Sequence, residues 1–235
     1  MDKITTIICN YNHEKYLPDA LESIANQTYR YMDVIIIDDC SDNDPIDIIT
    51  KIDWRGLDVK YIRNKKNEGK WSCLNKVINS SNTKWYMIQD ADDYAFPWKA
   101  EKQLQVLQQT KTLLNLAGYI PINVDDVHTV PNELAPSTSV SKQEIFELAN
   151  LSANNRYIHH NYTGNYDLHN GATMFSRSFH QIGFRFQPPN MGLRIARSED
   201  SDYNLRCTLQ FNKTSWLVQP CYSYRLGSGH PQGSF

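Results

Sequence analysis

Trp85-Tyr86-Met87-Ile88-Gln89-Asp90-Ala91-Asp92-Asp93 is the stretch on which the reading of this chain turns. A short apolar run, Trp85 to Ile88, leads through Gln89 into three closely spaced aspartates. Such a run, bounded by polar residues, has the form of a strand buried on both faces. Carboxylates packed this tightly repel one another, so a strand end that concentrates them is tolerable mainly where a cation arrives. Hard oxygen ligands suit magnesium or manganese, ions that bridge readily to a diphosphate. The segment is therefore a candidate nucleotide-diphosphate site. The plainer reading is a solvated turn, with one aspartate capping a helix that Pro97-Trp98-Lys99 opens.

Working outward, the first half alternates β-branched runs with segments of helical period, the sequence form of a parallel sheet flanked by helices. Expected strands are Ile4 to Cys9, Val34 to Asp38, Val59 to Arg63, Trp85 to Gln89 and Leu113 to Tyr119. Expected helices carry Leu17, Leu21 and Ile24, then Trp71, Leu74, Val77 and Ile78, then Leu104 and Leu107. The fold class is α/β. Ligands of open α/β sheets bind beyond the carboxyl ends of the strands, where strand order reverses. Just past the expected strand ends stand Asn10-Tyr11-Asn12, Asp38-Asp39-Cys40-Ser41-Asp42 and Asp90-Ala91-Asp92-Asp93, so polar and acidic groups gather in one region.

Several function classes lose support. No GxGxxG follows the first strand and no Gly-Lys-Ser/Thr phosphate loop occurs, which removes the main signals of dinucleotide and P-loop enzymes. A net charge of -2, from 24 basic and 26 acidic residues, offers no basic surplus for nucleic acid. Five scattered cysteines, odd in number and without a CxxC pair, read as reduced thiols rather than a zinc site or a disulfide framework. No signal peptide pattern opens the chain, and no apolar stretch approaches the roughly 20 residues of a membrane span. The expectation is a cytoplasmic protein without a transmembrane segment, with peripheral attachment at the inner face of a membrane left open.

The 235 residues suit one domain with an insertion. In the fold that these segments resemble, residues 1–118 are expected as a nucleotide-binding half and 119–235 as an acceptor-binding half, with an insertion at about 121–168 and a C-terminal lid at 222–235. Within the insertion, Ser141 and Glu144 stand in capping-box spacing ahead of a helix from Lys142 to Leu151. Later elements are a strand at Gly171 to Phe175, a short helix to Ile182, a helix from Glu199-Asp200 to Leu209 and a strand at Thr214 to Val218.

Taken together, these segments resemble a family 2 glycosyltransferase with the GT-A nucleotide-sugar fold, a Rossmann-like, mostly parallel sheet. The resemblance rests on Ile4 to Asn12, Leu21 to Thr28, Val34 to Asp42, Asn67-Glu68-Gly69, Leu74-Asn75, Asp90 to Asp93, Ser198-Glu199-Asp200 and Tyr224-Arg225, in that order and spacing. It implies inverting transfer of a sugar from a nucleotide diphosphate to an acceptor hydroxyl, with Mn2+ or Mg2+ on the diphosphate. The acceptor is a carbohydrate or glycan, a lipid-linked one among the options.

By the same resemblance, Cys9, Asn10, Tyr11 and Asn12 line the nucleotide, although Cys9 and Asn10 stand where the family often has proline and threonine. Asp39 accepts a hydrogen bond from N3-H of uracil or thymine, which cytosine lacks, favouring a UDP-sugar or dTDP-sugar donor. Asp90 and Asp92 match the family's DxD. Asp92 is the main metal ligand, Asp90 reaches the ribose or a metal-bound water, and Asp93 is a second ligand or a cap. Asn67 and Lys70 approach the diphosphate, while Asn170 and Gly171 lie where the family's strand passes the donor sugar. Asp200, beside Glu199, matches the general base; alone, the pair also reads as the acidic first turn of a helix. Arg225 and His230 belong to the tail, His230 as a metal or phosphate contact. His159, His160 and His169 read as surface or acceptor-groove residues. Two other readings stay open: a sugar-1-phosphate nucleotidyltransferase, and a non-catalytic nucleotide-sugar-binding relative.

Overall fold

The computed structural model describes residues 1–126, 137–139, 170–188, 199–211 and 214–228. The first half of the chain is built as its hydrophobic pattern requires. Strands β1 (Ile4–Asn10), β2 (Met32–Asp38), β3 (Asp58–Arg63) and β4 (Trp85–Asp90) run parallel in the order β3-β2-β1-β4. Strand order therefore reverses at β1, which is flanked by β2 on one side and β4 on the other. Register places Asn10 beside Asp38 and Cys9 beside Asp90, so the polar strand ends meet at that reversal.

Alternation along the strands sorts the core into two layers. Ile7, Ile35, Ile37, Tyr86 and Ile88 face helix α3 (Lys70–Ser80) through Leu74, Val77 and Ile78. Ile8, Val34, Ile36, Trp85 and Met87 face α1 (Leu17–Ala25), α2 (Ile46–Lys51) and α4 (Lys99–Thr110). Both faces are covered, which is why β1, β2 and β4 are near-continuous apolar runs.

The second half extends the same sheet with mixed polarity. Short β5 (Tyr94–Ala95), β6 (Leu114–Asn123), β7 (Ser137–Ser139), β8 (Thr173–Ser176) and β9 (Thr214–Leu226) continue it beyond β4 in the order β8-β6-β9-β5, with β7 on β9. Strand β8 is antiparallel to both β4 and β6, whereas β6 and β9 are parallel. Helices α5 (Ser178–Gln181) and α6 (Glu199–Phe211) follow β8. Tyr203 of α6 stacks on Phe186 at 3.9 Å between ring centroids, and docks the helix on the α3 face of the sheet.

Several boundaries differ from the sequence reading. Residues 121–123 belong to β6 and not to the insertion, because Pro121, Ile122 and Asn123 pair with Tyr224, Arg225 and Leu226. Gly171 and Ala172 form a 3-10 turn ahead of β8 rather than strand. The late strand runs on to Leu226, so residues 222–226, expected in a lid, are its last residues. Register with β6 slips around Gly118, where Pro220 enters the pairing. Such an irregularity lets a long strand bend and continue past a residue with no N–H. The expected helix from Lys142 to Leu151 lies outside the described residues.

Candidate active site

Asp38 and Asp39 end β2 with different tasks. Asp38 is buried and accepts hydrogen bonds from Asn10 Nδ2 at 2.7 Å, Ser41 Oγ at 2.5 Å and Ser41 N at 3.1 Å. It locks the exits of β1 and β2 together. The Asn10 amide nitrogen also reaches Ser41 Oγ at 3.1 Å, so the side chain expected to line a nucleotide has both donors bound within the protein. Asn12 takes a left-handed backbone, φ 56°, and exchanges hydrogen bonds with Asp42 while its N–H donates to Ser41 Oγ.

Asp39 organises the following loop. Its carboxylate accepts from Asn64 Nδ2 at 2.7 Å, Glu68 N at 2.9 Å and Gly69 N at 2.7 Å. Asn67 Oδ1 takes a second hydrogen bond from Gly69 N, at 3.0 Å. Gly69 stands at φ 85° just before α3, and a Cβ there would lie 2.8 Å from the Trp71 ring. Both backbone and space demand glycine.

Lys70 opens α3 and pairs with Asp90 Oδ1 at the end of β4. Burial opposes its charge, but the Asp90, Glu199 and Asp200 carboxylates more than offset this and raise its pKa well above the lysine value. The first turn of α6 is thus close enough for its charges to act on the Lys70–Asp90 pair. Glu199 is itself pushed up, by burial first and then by Asp200. Asp200 is 5% exposed. Segments separated by more than a hundred residues meet here: Lys70, Asp90, Glu199 and Asp200.

The rest of the acidic turn divides between solvent and core. Asp92 is partly exposed and its Oδ2 accepts a hydrogen bond from Ser228 Oγ at 2.7 Å. Asp93 is 1% exposed and accepts from Arg225 N at 2.9 Å, while its Oδ2 has no hydrogen-bond partner among the described residues. Burial, reinforced by Asp92 and Asp90, raises its pKa well above that of an ordinary aspartate. Neither aspartate caps α4, whose N-cap position is Trp98 without a side-chain hydrogen bond. Gly171 makes room here, since a Cβ would lie 2.8 Å from Tyr222 and 3.2 Å from Asp93 Oδ2.

Among the described residues no three His, Cys, Asp or Glu side chains form a ready metal cage. The donor set nonetheless fits a metal shared with a ligand. Magnesium and manganese sites at diphosphates use one or two carboxylates and complete their shell with phosphate oxygens and water. Asp92 offers the accessible carboxylate, and Asp93 Oδ2, without a partner among the described residues, lies in the same turn. One Asp90 oxygen is already held by Lys70.

Arg225 is held within the protein: Nε donates to the Asp92 carbonyl at 3.1 Å and Nη1 to the Val124 carbonyl at 2.7 Å, with the guanidinium over Tyr16 at 4.9 Å. It clamps the acidic turn to the chain just past β6 and, through Asp19 at 3.5 Å, to α1. Cys9 is partly buried, and the neighbouring Cys73 thiol together with burial raises its pKa. Tyr11 is partly buried. The side chain of Asn170, together with His159, His160, His169 and His230, lies outside the described residues.

Two residues that sequence reasoning misses, Lys99 and Gln89, support the turn from below. In the sequence Lys99 reads only as part of a helix opening, and nothing local marks it as buried.

With this geometry in view, similarity to known proteins decides the family. The glycosyl transferase family 2 model matches residues 5–184. The chain belongs to glycosyltransferase family 2. An uncharacterized glycosyltransferase of Methanocaldococcus jannaschii is 24% identical over 230 residues, covering 96% of this chain and 72% of that protein. An uncharacterized glycosyltransferase of Haemophilus influenzae is 33% identical over 125 residues, where this chain spans 52% of its own length and 38% of the relative's. Among solved structures, S. aureus TarS 1-349 in complex with UDP-GlcNAc superposes with TM-score 0.71 at 18% identity, over 97% of this chain and 60% of that one. Mannosyltransferase PcManGT from Pyrobaculum calidifontis, in complex with GDP-Man and Mn2+, superposes with TM-score 0.58 at 15% identity, over 94% and 56%. The family 2 chain thus carries the GT-A fold. No helix among its described residues is long and apolar enough to cross a membrane.

Proposed function

We propose that this chain transfers a sugar, with inversion, from a UDP-sugar or dTDP-sugar to the hydroxyl of a carbohydrate or glycan acceptor. The observation that carries the proposal is the meeting of Lys70 and Asp90 with Glu199 and Asp200 at the carboxyl ends of β1 and β4. Membership of family 2 and the GT-A fold point the same way. TarS has been solved with UDP and with UDP-GlcNAc, and PcManGT with GDP-Man and Mn2+, so related folds hold nucleotides of this class.

In this reading the Asp39 loop surrounds the base, and Lys70 faces the diphosphate. Asp92, assisted by the Asp93 oxygen, would hold a divalent ion, which supplies Lewis-acid stabilisation of the departing diphosphate. Asp200 takes the proton of the acceptor hydroxyl as that oxygen attacks the anomeric carbon from the opposite face. Inversion follows from a single displacement. Where the acceptor is lipid-linked, the protein works in the cytoplasm at the inner face of a membrane.

A screen of nucleotide sugars tests the proposal. A UDP-sugar or dTDP-sugar should raise the melting temperature and release its nucleotide when manganese is present, because a ligand that binds only the folded state stabilises it. Formation of pyrophosphate from NTP and sugar phosphate would instead indicate a nucleotidyltransferase, and saturable binding without turnover under any acceptor a binding module.

A further inference from the structure

Below the acidic turn lies a buried cation with no part in the chemistry proposed above. Lys99, the first residue of α4, is 0% exposed. Its Nζ donates to the Ile88 carbonyl at 2.9 Å and to Gln89 Oε1 at 3.0 Å. Gln89, equally buried, donates from Nε2 to the carbonyls of Asp90 and Asp93, each at 3.0 Å. One side chain thus ties together both ends of the turn that carries Asp92.

The chemistry of the two groups makes the arrangement directional. An amide side chain has nearly the same shape in either orientation, but an ammonium only donates. Lys99 therefore admits the oxygen of Gln89 and turns its nitrogen toward the two carbonyls. The amide in reverse would set oxygen against oxygen at both ends of the turn. Holding a lysine here is costly: burial lowers its pKa to about 8 although Asp90, Cys221 and Asp93 favour the charge. The Tyr222 ring, 5.4 Å from Nζ, provides further compensation. An apolar side chain of similar length would fill the same space without that cost.

We propose that Lys99 and Gln89 are positioning residues for the metal-diphosphate site: Lys99 orients the Gln89 amide, and Gln89 holds the Asp90–Asp93 turn so that Asp92 meets the ion. This rests on the metal-dependent reading above.

The test measures Mn2+ binding in the presence of UDP by electron paramagnetic resonance, together with UDP binding without metal and the unliganded melting temperature. The proteins compared are wild type, Lys99→Met, Gln89→Glu and the control Leu104→Ala. Leu104 lies on α4 and packs in the hydrophobic core, with no hydrogen bond to the acidic turn. Lys99→Met and Gln89→Glu should each weaken Mn2+ binding by about tenfold or more, the usual effect of removing a group that holds a metal ligand in place. Their UDP affinity without metal should stay within about twofold of wild type. Leu104→Ala should lower the melting temperature and leave Mn2+ affinity unchanged. Wild-type Mn2+ affinity in Lys99→Met and Gln89→Glu, if they fold, overturns the inference and leaves the transferase reading intact. Equal weakening in Leu104→Ala also overturns it, since general loosening then explains the effect. Failure of the two variants to fold moves the test to Lys99→Gln and Gln89→Met, with the same expected weakening and the same overturning result. Absence of Mn2+ binding to wild type with UDP overturns the metal-dependent reading and this inference with it.

Discussion

Lys70 is the residue on which the charge balance of the site depends. Its ammonium faces Asp90 directly, with Glu199 and Asp200 near enough to favour its charge. Lys70 is partly exposed while Asp90 is nearly buried, so removing the cation leaves a buried carboxylate uncompensated. Lys70→Met is therefore expected to leave the Asp90 carboxylate without its cation and to weaken UDP-sugar binding by roughly tenfold or more, measured by calorimetry. Asp39 holds its loop by the polarity of a single carboxylate. Its three hydrogen bonds all come from donors, and Asp39→Asn would set an amide nitrogen against one or more of them. Loss of about 1–3 kcal/mol of stability, seen as a lower denaturation midpoint, is the expected outcome.

Elements carry the next set of constraints. The loop between β3 and α3 is fixed by Gly69, whose positive φ and contact with Trp71 admit no side chain. Gly69→Ala should lower stability by more than the roughly 1 kcal/mol that a left-handed backbone alone costs a non-glycine residue, and should also reduce UDP binding, because the loop is the one Asp39 holds. Helix α5 carries a pH-dependent contact. His180 hydrogen-bonds Asn75 of α3 at 3.2 Å and Tyr203 of α6 at 3.3 Å. Burial, then Arg185 and Arg177, lowers its pKa from 6.5 to about 3. The folded state therefore resists the proton that the unfolded chain accepts. The stability contribution is complete above pH 6.5 and declines as pH falls toward 3. Urea titrations should show a flatter acid limb for His180→Gln than for wild type between those limits.

Across the whole molecule, legibility followed how local each signal was. β1, β2 and β4 announce themselves because a strand buried on both faces must be apolar throughout, and the aspartates at their ends stand out against that background. Proximity of those ends then follows from parallel register alone. The second half is different. β9 is a 13-residue strand broken in sequence by Gln219-Pro220, and its continuation depends on a register slip against β6 that no single segment encodes. Tyr222 to Leu226 therefore read as tail, although they pair with β6, and the Arg225 bonds to the Asp92 and Val124 carbonyls depend on that pairing. Lys99 is illegible for a related reason. Lysine is almost never fully buried, and only the packing of α4 against β4 brings it under Ile88 and Gln89.

In the proposed function, carboxylates from distant stretches converge on one nucleotide-sugar, with Asp200 as the base. The decisive experiment is single-turnover transfer by Asp200→Asn, measured beside wild type with manganese, a productive donor and its acceptor. A fall of about 10²–10⁴-fold in the transfer rate, with UDP affinity unchanged, is the expected result for removal of a general base. Transfer at the wild-type rate with the same UDP affinity would contradict the account.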